Sequence, residues 1–361
     1  MIRSLRSLMP PGYGSDRRVA CGYPRGVRRR FEVTFLPGLG AEVTAEVAAL
    51  SRGTASRPVA GRDDALEVTL ESAARLLSMR TAVAVSEVLA FPVPRPRSLL
   101  SGEYLPFIVA AVRRVNGARS FRIEAAGSDS AVFTRLASAL SDATGLAPDQ
   151  ADGDAVLRFR RSPDGWDVLV RLTARPLSHR SWRVRNVPGA VNATIAAAVA
   201  RQVGVRRSDR VVNLMCGSGT LLIERLLSGP ARRAVGVDHD PDMLAMCSEN
   251  LAAAGVHADL VKADVTATDW QDAGPFDVLL ADPPWGTLVG DHAGNEDLHL
   301  DLLRRAAEAA APRARLAVLT HEIKRMERCL RRTENLWQVA TVTRVFQKGH
   351  HPRIYVLDRA P

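Results

Sequence analysis

The chain has 361 residues with a formal net charge of +10, 46% of them hydrophobic and 24% charged. This exceeds the length of one typical domain and supports a large buried core, while no apolar run approaches the roughly 18 residues that would span a bilayer. The four cysteines, Cys21, Cys216, Cys247 and Cys329, form no Cys-x-x-Cys pair, so neither a zinc knuckle nor a disulfide framework is indicated, and a reducing cytoplasm is the expected compartment. The charge excess lies wholly in residues 1–185, and residues 186–361 are neutral. A basic half beside a neutral half points to a polyanionic partner such as nucleic acid. Eight of the arginines lie in residues 1–30, however, so charge alone does not decide the partner.

Residues 1–30 are rich in Arg, Gly and Pro and hold no apolar h-region, which predicts a disordered basic tail rather than a secretory signal. Phe31–Phe35 alternates as a strand, Pro37-Gly38 turns it, and Glu42–Leu50 has helical periodicity. Leu66–Leu70 and Ala82–Leu89 read as strands with a helical stretch between them, and Phe91–Pro96 is a proline-rich break. Beyond it, Leu105–Val112 and Phe121–Ala125 read as strands and Val132–Asp142 as an amphipathic helix. Ala155–Phe159 and Trp166–Leu172 pair across the turn Ser162-Pro163-Asp164-Gly165. This is an α+β pattern, divided here into 31–96 and 97–178.

From residue 179 the pattern changes. After a helix over Asn192–Val203, five apolar strands at Val211–Met215, Ala234–Val237, Leu260–Ala263, Val278–Ala281 and Leu316–Leu319 alternate with helices such as Thr220–Leu227, Pro241–Ala254 and Glu296–Ala311. Such alternation predicts a mostly parallel sheet covered on both faces. Trp337–Phe346 and Ile354–Leu357 add an antiparallel edge hairpin, for a Rossmann-like α/β fold of seven strands over 179–361.

The first of these strands runs into Asn213-Leu214-Met215-Cys216-Gly217-Ser218-Gly219-Thr220, whose glycines allow a sharp turn and close approach to a ligand. The second ends at Asp238, 19 residues past Gly219, where a carboxylate can accept from ribose hydroxyls. Asp240-Pro241 starts the next helix. The third strand ends at Asp264, within reach of an adenine amine, with His239 and Val265 following the two acids. Leu222 stands where a dinucleotide site has its third glycine, so the loop suits an adenosyl ligand such as S-adenosyl-L-methionine better than a pyrophosphate.

The fourth strand runs into Asp282-Pro283-Pro284-Trp285. Two prolines fix two φ angles and remove two donors, which holds nearby carbonyls as acceptors. Asp282 and such a carbonyl can grip both hydrogens of an exocyclic amine and favour the pyramidal nitrogen that develops during methyl transfer. Trp285 offers a face on which a base can stack.

These residues resemble the class I methyltransferases of exocyclic amines, whose motif is Asp/Asn/Ser-Pro-Pro-aromatic. More narrowly, the second half is similar to the THUMP-associated guanine-N2 methyltransferases of tRNA and rRNA. The match includes Asn186–Ala190, Met215–Thr220 and Arg353–Leu357, and in the first half Phe35–Leu39 and Arg175–Arg183. The resemblance implies a ferredoxin-like subdomain over 31–96, a THUMP-like RNA-binding module over 97–178, and RNA as partner, tRNA before rRNA. Asn213 stands where an Asp is commoner, and Trp285 where Tyr is usual.

Adenine-N6 and protein glutamine methylation use the same motif and remain alternatives, as does a catalytically silent RNA-binding protein. Neither a metal nor a membrane partner is expected. His350 and His351 are expected to be exposed in the hairpin turn. His292, His299 and His321 lie near the predicted site without ligand spacing, and Arg113, Arg114, Arg158, Arg160 and Arg161 are candidates for phosphate contacts or for a solvated face.

Overall fold

The computed structural model describes residues 27–267, 269–284, 294–347 and 349–361, so the expected tail, except for its last residues, and Trp285 and His292 lie outside the described residues. The chain divides into two units. One runs to Phe35 and resumes over Val43–Leu177, and the other takes in Leu36–Glu42 and Ser178–Pro361.

In the first unit the strands are β1 (Arg29–Phe35), β2 (Ser56–Pro58), β3 (Ala65–Leu70), β4 (Ala82–Phe91), β5 (Ser120–Ala125), β6 (Ala147–Pro148), β7 (Ala155–Ser162) and β8 (Gly165–Arg171). Its helices are α1 (Gly40–Leu50), whose first residues belong to the other unit, α2 (Leu105–Arg113) and α3 (Ala131–Thr144). The strands form one sheet in the order β2-β3-β1-β4-β8-β7-β5-β6, which continues through β4 and β8 on either side of the Phe91–Pro96 break.

The Leu105–Val112 segment is a helix, not the expected strand. Pro106 occupies its first turn, where a missing N–H does no harm, and Ile108, Val109, Ala111 and Val112 are buried. A short, fully apolar run has no distinguishing period, and burial under the sheet with Leu136 and Leu140 of α3 overrides the strand propensity of its Ile and Val.

The arginines considered for phosphate have partners within the chain, and Arg113, Arg158 and Arg161 are also exposed. On the sheet face opposite α2 and α3, Glu32 accepts from Arg62 at 2.7 Å and from Arg160, and Glu67 accepts from Arg30 at 2.6 Å and from Arg57. Glu87, buried on the helix side, meets Arg114 at 2.6 Å and Arg29 at 3.4 Å. Arg158 pairs with Glu124, Arg113 donates to the Ala143 carbonyl, and Arg161 lies over the Trp166 ring. The Arg30 and Arg158 guanidiniums beside them hold Glu67 and Glu124 below the ordinary carboxylate range against the opposing effect of burial.

The second unit contains α4 (Ala193–Val203), β9 (Arg210–Leu214), α5 (Thr220–Ser228), β10 (Arg233–Asp238), α6 (Pro241–Ala254), β11 (Asp259–Lys262), β12 (Phe276–Ala281), α7 (Gly294–Glu308), β13 (Ala310–Thr320), α8 (Ile323–Arg332), β14 (Trp337–Arg344) and β15 (Arg353–Arg359). The sheet order is β11-β10-β9-β12-β13-β15-β14, parallel through β13 and antiparallel at β15 and β14. Val212, Leu214, Leu279, Ala281, Leu316 and Val318 pack with Leu302, Leu303 and Ala306 of α7 and Met326, Cys329 and Leu330 of α8. The alternate residues Val211, Val278, Leu280 and Ala317 are equally buried on the side of α4 and α5. Burial on both faces explains why the strands are nearly continuous apolar runs.

Two ion pairs are locked into this core. Arg225, fully buried on α5, reaches Asp209 at 2.6 Å and the Gly229 carbonyl at 3.0 Å. Arg180 of the connector reaches the buried Glu224 at 2.8 Å. Among the described residues no helix is long and apolar enough to cross a membrane, and no group of three or more His, Cys, Asp or Glu is placed to hold a metal ion.

Removing one partner of a buried pair strands the other charge, which costs about 3–5 kcal/mol. Asp209→Ala is therefore expected to lower stability by that order in denaturant unfolding followed by tryptophan fluorescence. An unchanged midpoint would mean that water reaches Arg225.

Candidate active site

The site residues stand at the carboxyl ends of β9, β10, β11 and β12. The chain order reverses there, with β10 and β11 on one side of β9 and β12 on the other, and open α/β sheets bind ligands at such switch points.

The loop after β9 is held in an unusual path. Met215 has φ 51° although it carries a side chain, a conformation that costs about 1 kcal/mol or more. The next residue is fixed by a hydrogen bond from the Cys216 N–H to the Val237 carbonyl at 2.9 Å. Gly219 begins α5 at φ 87°, and a Cβ there would lie 2.5 Å from the Cys247 Sγ, so glycine is required both by conformation and by space.

Asp238 organises this loop from the neighbouring strand. It is 6% exposed; its Oδ2 accepts from the Gly217 N–H at 2.8 Å and its Oδ1 from the Asp240 N–H at 3.0 Å. Asp240 in turn caps α6 by accepting from the Asp242 N–H at 2.8 Å, with Pro241 at the first helical position.

Asn213, buried in β9, donates from Nδ2 to the Leu214 and Leu280 carbonyls, both at 3.2 Å, and so ties β9 to β12. Its Oδ1 is buried with no hydrogen-bond partner among the described residues. A buried acceptor without a donor is costly, and a donor-bearing group in the cavity that Asn213 lines would satisfy it. That cavity is about 210 Å³, lined by Asn213, Met215–Ser218, Thr220, Leu221, Asp282–Pro284 and the segment Val187–Val191. A larger cavity of about 500 Å³ opens at the other end of the same strands and contains none of the predicted site residues.

The structure thus brings Asn213, Cys216, Gly217, Ser218, Thr220, Asp282, Pro283 and Pro284 around one cavity, with Gly219 and Asp238 fixing its loop. Asp264 lies at the end of the next strand, exposed, its Oδ1 accepting from the Thr266 N–H and hydroxyl at 2.8 Å each. Those bonds hold its carboxyl below the usual range, so it remains an anionic acceptor as pH falls through that range. His239 is exposed, 3.6 Å from the Asp238 Oδ1. Val265 is buried in the core. The Cys216 thiol is pushed up by the neighbouring Cys247 and by burial, which suits a packing role. His299 is fully buried, 3.4 Å from the Thr320 Oγ1, away from solvent.

Two supports were not read from the sequence. Asn250 on α6 is fully buried; its Nδ2 donates to the Ser218 carbonyl at 2.9 Å and to the Arg185 carbonyl at 3.0 Å. Arg183 donates to the Thr220 Oγ1 at 3.0 Å and to the Val191 carbonyl at 2.9 Å. Together they clamp the loop and the connector against the cavity.

Fold and site define a class I methyltransferase. Residues 180–353 match the model of the RMKL-like methyltransferase domain family, UPF0020. Over 335 residues the chain is 28% identical to a tRNA (guanine(6)-N2)-methyltransferase of Thermus thermophilus, covering 90% of this chain and 93% of that protein. It is 44% identical over 95 residues to an uncharacterized S-adenosylmethionine-dependent methyltransferase of Mycobacterium tuberculosis, covering 26% of this chain and 25% of that one. The crystal structure of TrmN from Thermus thermophilus matches with a TM-score of 0.71 at 25% identity, over 91% of this chain and 99% of that chain.

Asp238→Asn replaces one of two acceptors with a donor facing an N–H. A hydrogen bond to a charged group contributes about 1.5–3 kcal/mol, so S-adenosylmethionine affinity is expected to fall on the order of tenfold or more in calorimetric titration. Unchanged affinity would show that the loop keeps its path without this carboxylate.

Proposed function

We propose that the chain transfers the methyl group of S-adenosylmethionine to the exocyclic N2 amine of a guanosine in RNA, and that the RNA is tRNA. The observation that carries this reading is the placement of Asp282-Pro283-Pro284 on the wall of the switch-point cavity, beside Asn213 and the Cys216–Thr220 loop.

In this reading the backbone of Cys216–Thr220 and the Asn213 Oδ1 hold the amino acid part of the cofactor. Asp238 accepts from the ribose hydroxyls with the lone pairs its backbone bonds leave, His239 flanks the ribose, and Asp264 with Val265 faces the adenine. The bound cofactor supplies a sulfonium-activated methyl group.

The remaining chemistry belongs to the chain. The guanine amine is a poor nucleophile because its lone pair is delocalised into the ring. Asp282 and a carbonyl held by the Pro283-Pro284 step accept its two N–H bonds and favour the pyramidal form. That form leaves the nitrogen lone pair free to accept the methyl group that a bound cofactor would supply. The nitrogen then loses one proton towards Asp282 and solvent. No strong base is needed, and in-line placement supplies much of the rate. Trp285 is assigned the stacking of the extruded base.

Guanine and tRNA are favoured by the Thermus thermophilus relative, because its likeness covers 90% of this chain rather than the catalytic half alone. Residues 31–96 and 97–178 are assigned the ferredoxin-like and THUMP-like roles of holding the RNA, and residues 179–361 the catalytic domain. A cytoplasmic site of action belongs to the same reading and accords with the buried free thiols Cys216, Cys247 and Cys329.

Asp282→Ala removes the acceptor assigned to the amine, at a residue that also lines the cofactor cavity. It is expected to keep cofactor affinity within about threefold while methyl transfer to RNA falls by 10²-fold or more, the usual scale for losing one transition-state hydrogen bond. Equal loss of binding and turnover in a folded variant would assign Asp282 to the cofactor instead.

A further inference from the structure

The hairpin that closes the second sheet carries a cluster of rings that the reaction described above does not use. Ala281 is in register with Val318 across β12 and β13, Thr320 with Arg353 across β13 and β15, and Arg344 with Arg353 across β14 and β15. His321, which follows β13, and the segment joining β14 to β15 therefore lie on the same sheet edge as Asp282. They stand on the side away from β9 and β10, one strand spacing of about 4.8 Å along for His321 and two to three for the segment between β14 and β15.

There the His321 and His350 rings stack, with centroids 5.4 Å apart and planes 28° from parallel. Phe346 and His351 pack 5.3 Å apart at 57°. His350 and His351 are exposed and Phe346 is 36% exposed, although Val345 and Gln347 on either side of it are buried. Burial lowers the His321 pKa below the ordinary imidazole range, so that ring is neutral at physiological pH.

The mount is rigid. The Phe346 N–H donates to the Pro37 carbonyl at 3.1 Å and the Val345 N–H to the Pro352 carbonyl at 3.0 Å, while Gln347 and His350 exchange two backbone bonds of 2.9 Å. Gly38, at φ +97°, passes so close beneath that a Cβ would lie 2.0 Å from the Arg344 carbonyl oxygen. Exposed rings held on a fixed backbone are pre-organised for a flat ligand.

We infer that the rings of Phe346, His350 and His321 form a stacking platform for a nucleobase that flanks the methylated guanosine. This inference rests on the RNA reading above. Drawing a base out of its stack leaves its neighbours without a partner, and aromatic or imidazole faces replace that partner whatever the neighbour's identity. The platform lies on the far side of Asp282 from the cofactor loop, so the target base and its neighbour occupy the edge in sequence.

The test is steady-state methylation of RNA by the full chain carrying His350→Ala, Phe346→Ala or His350→Phe. Loss of a base stack predicts a KM for RNA raised about tenfold in each alanine variant, with kcat and S-adenosylmethionine affinity within twofold, and recovery of KM in His350→Phe. A p-benzoylphenylalanine placed at position 346 should crosslink to a nucleotide within two positions of the modified guanosine. Unchanged KM in both alanine variants, or a crosslink mapping elsewhere, overturns the platform and leaves guanine-N2 methylation intact. A wild-type enzyme that neither binds nor methylates RNA overturns both.

Discussion

The hydrogen bonds that the Asp238 carboxylate accepts from Gly217 and Asp240 are the constraint on which the site depends. One oxygen pins the loop leaving β9 and the other pins the entry to α6. Two strands, a glycine loop and a helix start are thereby fixed around a single side chain. Asn250 grips the same loop from behind through the Ser218 carbonyl, and the Asn213 amide joins β9 to β12 across the switch point. The cavity wall is thus held by contacts within the chain, the kind of fixed frame that differential stabilisation of a transition state requires.

Along that sheet edge the chemistry is divided by strand order. β9, β10 and β11 carry the acceptors assigned to the methyl donor, β12 carries Asp282, and the β14–β15 hairpin carries the exposed His350 and His351. In the first unit, by contrast, many arginines are consumed by cross-strand pairs with Glu32, Glu67 and Glu87. A positive total charge is therefore a poor guide to where a phosphate backbone would lie.

Much of the second unit could be read directly from residues. Its strands β9, β10 and β12 are apolar on both faces, and with β11 they run into Gly217, Asp238, Asp282 and Asp264, which mark both the fold and the edge. The first unit was harder. Leu105–Arg113 is a short apolar run whose residues favour strands by propensity, and only its burial under the sheet makes it a helix. β2 covers Ser56–Pro58 and has no pattern long enough to detect. α8 is marked in the sequence only by Met326, Cys329 and Leu330 at helical spacing among charged residues. Asn250 and Arg183 act through backbone groups distant in sequence, and such contacts have no local signature.

The central claim is that the Asp282-Pro283-Pro284 edge methylates a guanine amine in tRNA. The most direct test is transfer of labelled methyl from S-adenosylmethionine to total RNA from cells lacking the activity, followed by size separation and nucleoside analysis. Label in N2-methylguanosine of the tRNA fraction is the predicted result. Label in methyladenosine, or none in any RNA, would contradict it.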